Sequence, residues 1–164
     1  MTLADWRTVA AQRRALARSW GVARAYSQDN EEIGAACEWA FAVEFNLAWD
    51  GHVGSGDKGI DFEVFPFTID VKGAADASAG SAFLLHEVAG PQSRQSTAAI
   101  LVAARYDRSK QAARLIGWHW RSAVEKCAVR EFGAKHRDGS PVASHAMPIG
   151  WLHPISTLHR ELGR

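Results

Sequence analysis

The sequence predicts an α/β fold with a central mixed β-sheet flanked by helices. Three observations lead there. Helical patterns open the chain, strand-like runs cluster between residues 59 and 120, and helical patterns return after them. One run, "TAAILVAARY" (97–106), is almost continuously apolar, the pattern of a strand covered on both faces.

The bulk composition fits one folded domain. The chain has 164 residues, 47% hydrophobic and 23% charged, enough to bury a core without disulfides or metal staples. Nineteen basic residues against 18 acidic ones give a net charge of +1, which argues against a nonspecific polycation. No apolar run approaches the ~18 residues that cross a bilayer, so no membrane association is expected. The two cysteines, Cys37 and Cys127, have no thiol neighbours, and a reducing cytoplasm is the expected setting. The expected organisation is a single domain over 1–164, with a helical extension (1–28), a core (30–130), and a C-terminal loop and short helix (131–164).

Each element has its own signal. Residues 3–20 read as a helix, with Leu3, Val9, Leu16 and Trp20 at roughly helical spacing. Arg7, Arg14 and Arg18 fall on a second face, either a solvated face or a phosphate-contacting stripe. A second helix is expected from Glu31 to Trp49, capped by Asp29 or Asn30, with Ile33, Cys37, Ala40, Phe41, Leu47 and Ala48 inward. "DGHVGSGDKG" (50–59) is a Gly-rich connection. It is no phosphate loop, because Gly59 follows Lys58 where Ser or Thr is needed. A hairpin over 59–74 turns near Phe65-Pro66. Strands follow at 82–88, 97–106 and 112–120. Residues 122–133 read as a helix with Ser122 as cap and Gly133 at its end, 134–144 as loop, and 154–162 as a short helix.

The hairpin carries an unusual charge set. In a strand, residues two apart share a face, so Asp70 and Lys72 project together. A turn at Phe65-Pro66 brings Asp61 beside Asp70. Adjacent carboxylates repel and desolvate badly unless a positive charge lies between them. A hard divalent cation does this well, since Mg²⁺ prefers carboxylate and water oxygens. An ordinary ion pair explains Asp70 and Lys72 alone; it does not explain a second and third acid. Upstream, Glu38 sits on the second predicted helix among small and apolar residues, one turn from Gly34, Phe41 and Ala42. Glu63 and Glu44 are rival carboxylates. Glu63 fits an exposed strand position, and Glu44 lies about 240° around the wheel from Glu38.

Glu38 in "GAACEWAFA", Asp61 in "GIDFEV" and Asp70-Val71-Lys72 in "TIDVKGA" together resemble the PD-(D/E)XK nuclease superfamily. The likeness covers roughly residues 30 to 130, and Ile60 stands where the family name places Pro. The resemblance implies a restriction-endonuclease-like core in a small phage- or repair-type DNA nuclease, endonuclease, exonuclease or junction/flap enzyme. It implies catalytic roles for Glu38, Asp61, Asp70 and Lys72, and Mg²⁺ (Mn²⁺ as substitute) held by Asp61, Asp70, the Val71 carbonyl and Glu38. The implied substrate is DNA, with RNA and a homodimer left open. The alternative is an inactive nucleic-acid-binding or assembly protein with the same fold.

Other candidates are weaker. Arg94 and Gln95 in "SRQS" and the loop "KHRDG" can touch a nucleic-acid backbone. "GWHW" (117–120) and Trp151 fit packing first and base stacking second. The seven histidines lack zinc-site spacing and read as core or surface imidazoles.

Overall fold

A computed structural model of the chain describes residues 4–19, 28–51, 59–90, 95–136 and 138–163. Helix α1 (Trp6–Ser19) begins at Asp5, whose carboxylate accepts the Arg7 and Thr8 N–H groups at 3.4 and 3.2 Å. Its inward face is Trp6, Val9 and Ala10. The expected face ran through Leu3, Val9, Leu16 and Trp20. Of these Val9 is buried, Leu16 is half-buried, and Leu3 and Trp20 lie outside the described residues.

Helix α2 (Gln28–Glu44) starts earlier than expected, so Asp29 and Asn30 lie inside it rather than capping it. It also ends earlier. Asn46 adopts φ 51°, and the Leu47 N–H reaches back to the Ala42 carbonyl at 2.8 Å, a left-handed stop to the helix. Ile33, Ala36, Cys37, Phe41 and Ala42 are buried.

The first sheet is mixed, with order β1-β2-β4-β5. Its strands are β1 (Phe62–Val64), β2 (Phe67–Ala75), β4 (Ile100–Asp107) and β5 (Ala112–Trp120). β1 and β2 form the expected hairpin, with Phe65-Pro66 as its turn and Phe62 opposite Ile69. β2 runs parallel to β4, Asp70 beside Leu101 and Lys72 beside Ala103. β4 is apolar from Ile100 to Ala104 because both its faces are covered. Ile100, Val102 and Ala104 join the core under the helices, while Leu101 and Ala103 pack with Leu84, Val124 and Met147.

That second layer differs from the expected pattern. It contains a three-stranded antiparallel sheet, β3-β7-β6, of β3 (Phe83–Glu87), β6 (Val129–Lys135) and β7 (Pro141–Pro148). The helix expected at 122–133 is one turn, α3 (Arg121–Val124), followed by β6; the loop expected at 134–144 holds the start of β7. Gly133 does take a positive φ, 83°, but within a strand whose register shifts between Glu131 and Lys135. A buried guanidinium joins the layers: Arg105 of β4 donates to the Ser81 and Phe83 carbonyls, both at 2.7 Å. The expected terminal helix is α4 (Ile155–Glu161), with Pro154 as its N-cap rather than in its first turn. No helix among the described residues is long and apolar enough to cross a membrane.

The segment before α4 docks on β5 through a bridge between Trp118 and His153. It can approach because residue 117 is glycine. A Cβ on Gly117 would lie 2.7 Å from the His153 carbonyl oxygen, a backbone atom with little room to yield. Gly117→Ala is therefore expected to cost about 1–3 kcal/mol, the scale of overpacking. Urea denaturation of both forms measures it; an unchanged midpoint would show that the segment does not dock there.

Candidate active site

The parity of β2 decides which side chains meet. A Cβ on Gly73 would lie 2.9 Å from Cys37 Sγ, so odd positions of β2 face α2. Asp70 and Lys72 alternate with them and face the other way. Their parallel neighbours Leu101 and Ala103 pack against Leu84 of β3 and Val124 of α3, so the charged pair looks toward the second layer.

Asp61 stands just before β1 and is fixed to the backbone of β2. Its N–H donates to the Ile69 carbonyl at 2.9 Å, and its Oδ2 accepts the Val71 N–H at 2.7 Å. Asp70 is 3% exposed. Its Oδ2 lies 2.5 Å from Lys72 Nζ, an ion pair along one strand face. Burial, then the negative charges of Glu38 and Asp70, hold the Asp61 carboxyl well above its ordinary value of 3.8. Burial pulls Lys72 down, but Asp70 and Asp61 outweigh it and keep its ammonium protonated above the usual lysine range.

Glu38 is anchored from a different direction. Arg13 of α1 grips it with two hydrogen bonds, at 2.8 and 2.6 Å, and the Trp49 indole donates to it at 3.2 Å. Arg13 also donates to the Gly51 carbonyl, at 2.8 Å from Nε. Both Glu38 oxygens are thus engaged by protein donors. Arg13 was not among the residues singled out from sequence. Its signal was present: Trp6, Val9, Ala10 and Arg13 stand at i, i+3, i+4 and i+7 of one helix face, so the arginine ends a buried stripe.

The opposite wall also carries polar groups. His86 of β3 is fully buried. Its Nε2 lies 3.4 Å from Gln95 Nε2 and 3.3 Å from Glu125 Oε1, and its Nδ1 has no hydrogen-bond partner among the described residues. Arg121 pairs with Glu125 at 2.6 Å and donates to the Ala98 carbonyl at 2.8 Å. Burial, then the Lys72 charge, lower the His86 pKa, which ties this wall to the Asp-x-Lys strand. Gln95 therefore stands by the candidate site, and His86 is an addition.

The arginine stripe does not meet the acids. Arg7 lies over the Trp6 ring at 4.4 Å, and Arg14 approaches Glu32 at 3.8 Å. Both line a cleft with Ala10 and Gln111 that includes none of the candidate carboxylates. The Arg18 side chain and Arg94 lie outside what is described. Glu63 is exposed, and Glu44 bonds His159 at 3.0 Å.

Among the described residues, no three His, Cys, Asp or Glu side chains form a metal-holding group. Glu38 is committed to Arg13, which leaves two carboxylates, Asp61 and Asp70. That donor set suits Mg²⁺, which binds through one or two carboxylates and keeps several waters. The burial of Asp61 and the repulsion it feels from Asp70 are what such a cation relieves. Comparison with models of protein families, with curated proteins and with solved structures returned no match.

The raised Asp61 pKa has a definite sign in stability. Folding favours its neutral form, so its contribution is best below 3.8 and is lost as pH rises through the raised folded value. In metal-free buffer, the stability of wild type relative to Asp61→Asn should therefore fall as pH climbs from the ordinary carboxylate range. Thermal melts of both proteins in EDTA across pH measure it; a parallel pair of curves would contradict the repulsion.

Proposed function

We propose that this chain is a metal-dependent nuclease that hydrolyses phosphodiester bonds in DNA, with Asp61, Asp70 and Lys72 at its centre. The observation that carries the reading is the pairing of a buried Asp70 with Lys72 on one strand face beside a second carboxylate, Asp61, whose charge is disfavoured by its neighbours. Nothing in a soluble fold's stability calls for that set, because two like charges side by side cost free energy.

In this reading Asp61 and Asp70, with the Val71 carbonyl, hold Mg²⁺ or Mn²⁺. The bound ion supplies polarisation of the scissile phosphate and a more acidic water. Lys72, on the same strand face as Asp70, serves as a fixed positive charge for the phosphate oxygens. Water adds to phosphorus, the P–O bond to the leaving sugar oxygen breaks, and that oxygen takes up a proton. Glu38, gripped by Arg13, ties α2 to α1 and adds negative field at Asp61.

The test is incubation of purified protein with linear, circular, single-stranded and branched DNA, and with RNA, in Mg²⁺, Mn²⁺ or EDTA. Cleavage in metal and none in EDTA is expected. No cleavage of any substrate in either metal would overturn the reading.

A second reading is a nucleic-acid-binding or assembly protein with the same core and no activity. One observation favours it: both Glu38 oxygens are already bound by Arg13 and Trp49, which removes the third acid from metal binding. Binding of DNA without cleavage would select it.

A further inference from the structure

An apolar groove lies on the far side of α3 from the acids. It is lined by Ala123, Lys126, Cys127, Arg130, Met147 and Trp151, among others, and encloses about 430 Å³. That volume is within the ~300–1,000 Å³ of small-ligand sites. Trp151 is 66% exposed, a large aromatic ring left open to solvent. The lining holds two cations and no carboxylate. Among the described residues, neither Lys126 nor Arg130 has a carboxylate at ion-pair distance. The Arg130 guanidinium rests 5.0 Å over the Phe83 ring, which steadies it without neutralising it.

We propose that this groove binds a single-stranded stretch of nucleic acid, with a base stacked on Trp151 and phosphates on Lys126 and Arg130. Charge selects the occupant. A second copy of the chain, docked by the same face, would bring two more cations against these two and be repelled. A polyanion is attracted. The aromatic ring then distinguishes nucleic acid from other polyanions, because every base presents a face that stacks. A base inside a duplex is already stacked on its neighbours, so the groove favours a single strand.

The groove is continuous with the candidate active site through one turn of chain. Arg121 and Glu125, four residues apart, lie by His86, while Ala123, Lys126 and Cys127 line the groove. A strand held at Asp61 and Asp70 would cross α3 to reach Trp151. The direction of that path rests on the proposed function; the binding itself does not.

The experiment is fluorescence anisotropy of a labelled single-stranded oligonucleotide in EDTA, with its duplex and a poly-glutamate peptide as competitors. Wild type, Trp151→Ala, the double variant Lys126→Ala/Arg130→Ala and Lys110→Ala are compared. Trp151→Ala is expected to weaken single-strand binding by about fivefold to a hundredfold, the scale of one lost base stack. The double variant should flatten the logarithmic salt dependence by about 1.4, the release of counterions from two single-strand phosphates. Lys110→Ala, which removes an exposed cation at the β4–β5 turn outside the groove, should bind as wild type does. Unchanged affinity in both groove variants would overturn the proposal, as would poly-glutamate competing as well as the oligonucleotide. A protein that binds through Trp151 but never cleaves removes the nuclease reading and leaves the groove. One that cleaves, with groove variants binding normally, removes the groove and leaves the nuclease.

Discussion

Asp70→Asn is expected to lose both divalent-cation affinity and cleavage, while Lys72→Ala loses cleavage and keeps the cation. Asparagine has nearly the shape of aspartate but not the charge that holds a hard cation. Alanine at 72 leaves the carboxylates in place and removes the ammonium that lies 2.5 Å from Asp70 Oδ2. Each substitution should slow cleavage about a hundredfold or more, the scale seen when a preorganised charge is taken from a transition state. The two separate in a Mn²⁺ titration followed by electron paramagnetic resonance, where Lys72→Ala should bind at least as well as wild type. The physical reason is that Lys72 and the cation compete for the same carboxylate oxygen. If both variants cut as fast as wild type, the acids and the lysine are a structural ion pair.

The second large effect is on stability. Arg13→Met should destabilise the fold by about 3–5 kcal/mol, because it leaves the Glu38 carboxylate buried and unpaired. The side chains of Arg13 and Glu38 are 17% and 9% exposed, so water cannot replace the lost donors freely. The Gly51 carbonyl loses its partner as well. Arg13→Met/Glu38→Met should recover much of the loss, since an apolar pair of similar volume asks for no partner. Urea denaturation of the two single variants and the double variant measures the cycle. A single-variant loss below about 1 kcal/mol would mean that the pair does not hold α1 to α2.

Much of this was legible in the sequence because the signals were local. The β1–β2 hairpin announces itself by its turn, and β4 by an apolar run that only two covered faces explain. Same-face projection of Asp70 and Lys72 follows from strand parity, and the structure places them in contact. The second sheet was hidden for a physical reason. Val129, Arg130, Glu131 and Gly133 are all exposed, so β6 carries no alternation of buried and open residues to mark it. Gly133 then imitated a helix stop while serving an irregular strand. The grip of Arg13 on Glu38 spans 25 residues, and the His86 contact with Glu125 joins β3 to the end of α3. Neither follows from spacing; both depend on how separate elements pack.

The arginine stripe shows what spacing leaves open. Arg7 and Arg14 do share a side of α1, as the helical wheel required, but that side borders Glu32 and Gln111. A helical wheel fixes which residues point together and says nothing of what they point at. Arg13, one residue from Arg14, is the one turned to the acid.

The central claim is that Asp61 and Asp70 form one divalent-cation site on a single face of the hairpin. Crystals grown with Mn²⁺ and measured for its anomalous scattering test it most directly. The account predicts a peak bound by oxygens of both aspartates at ~2.0–2.6 Å, near Lys72 and clear of the Arg13-bound Glu38 carboxylate. A map with no peak between the two aspartates, or with their carboxylates on opposite faces of the sheet, would contradict it.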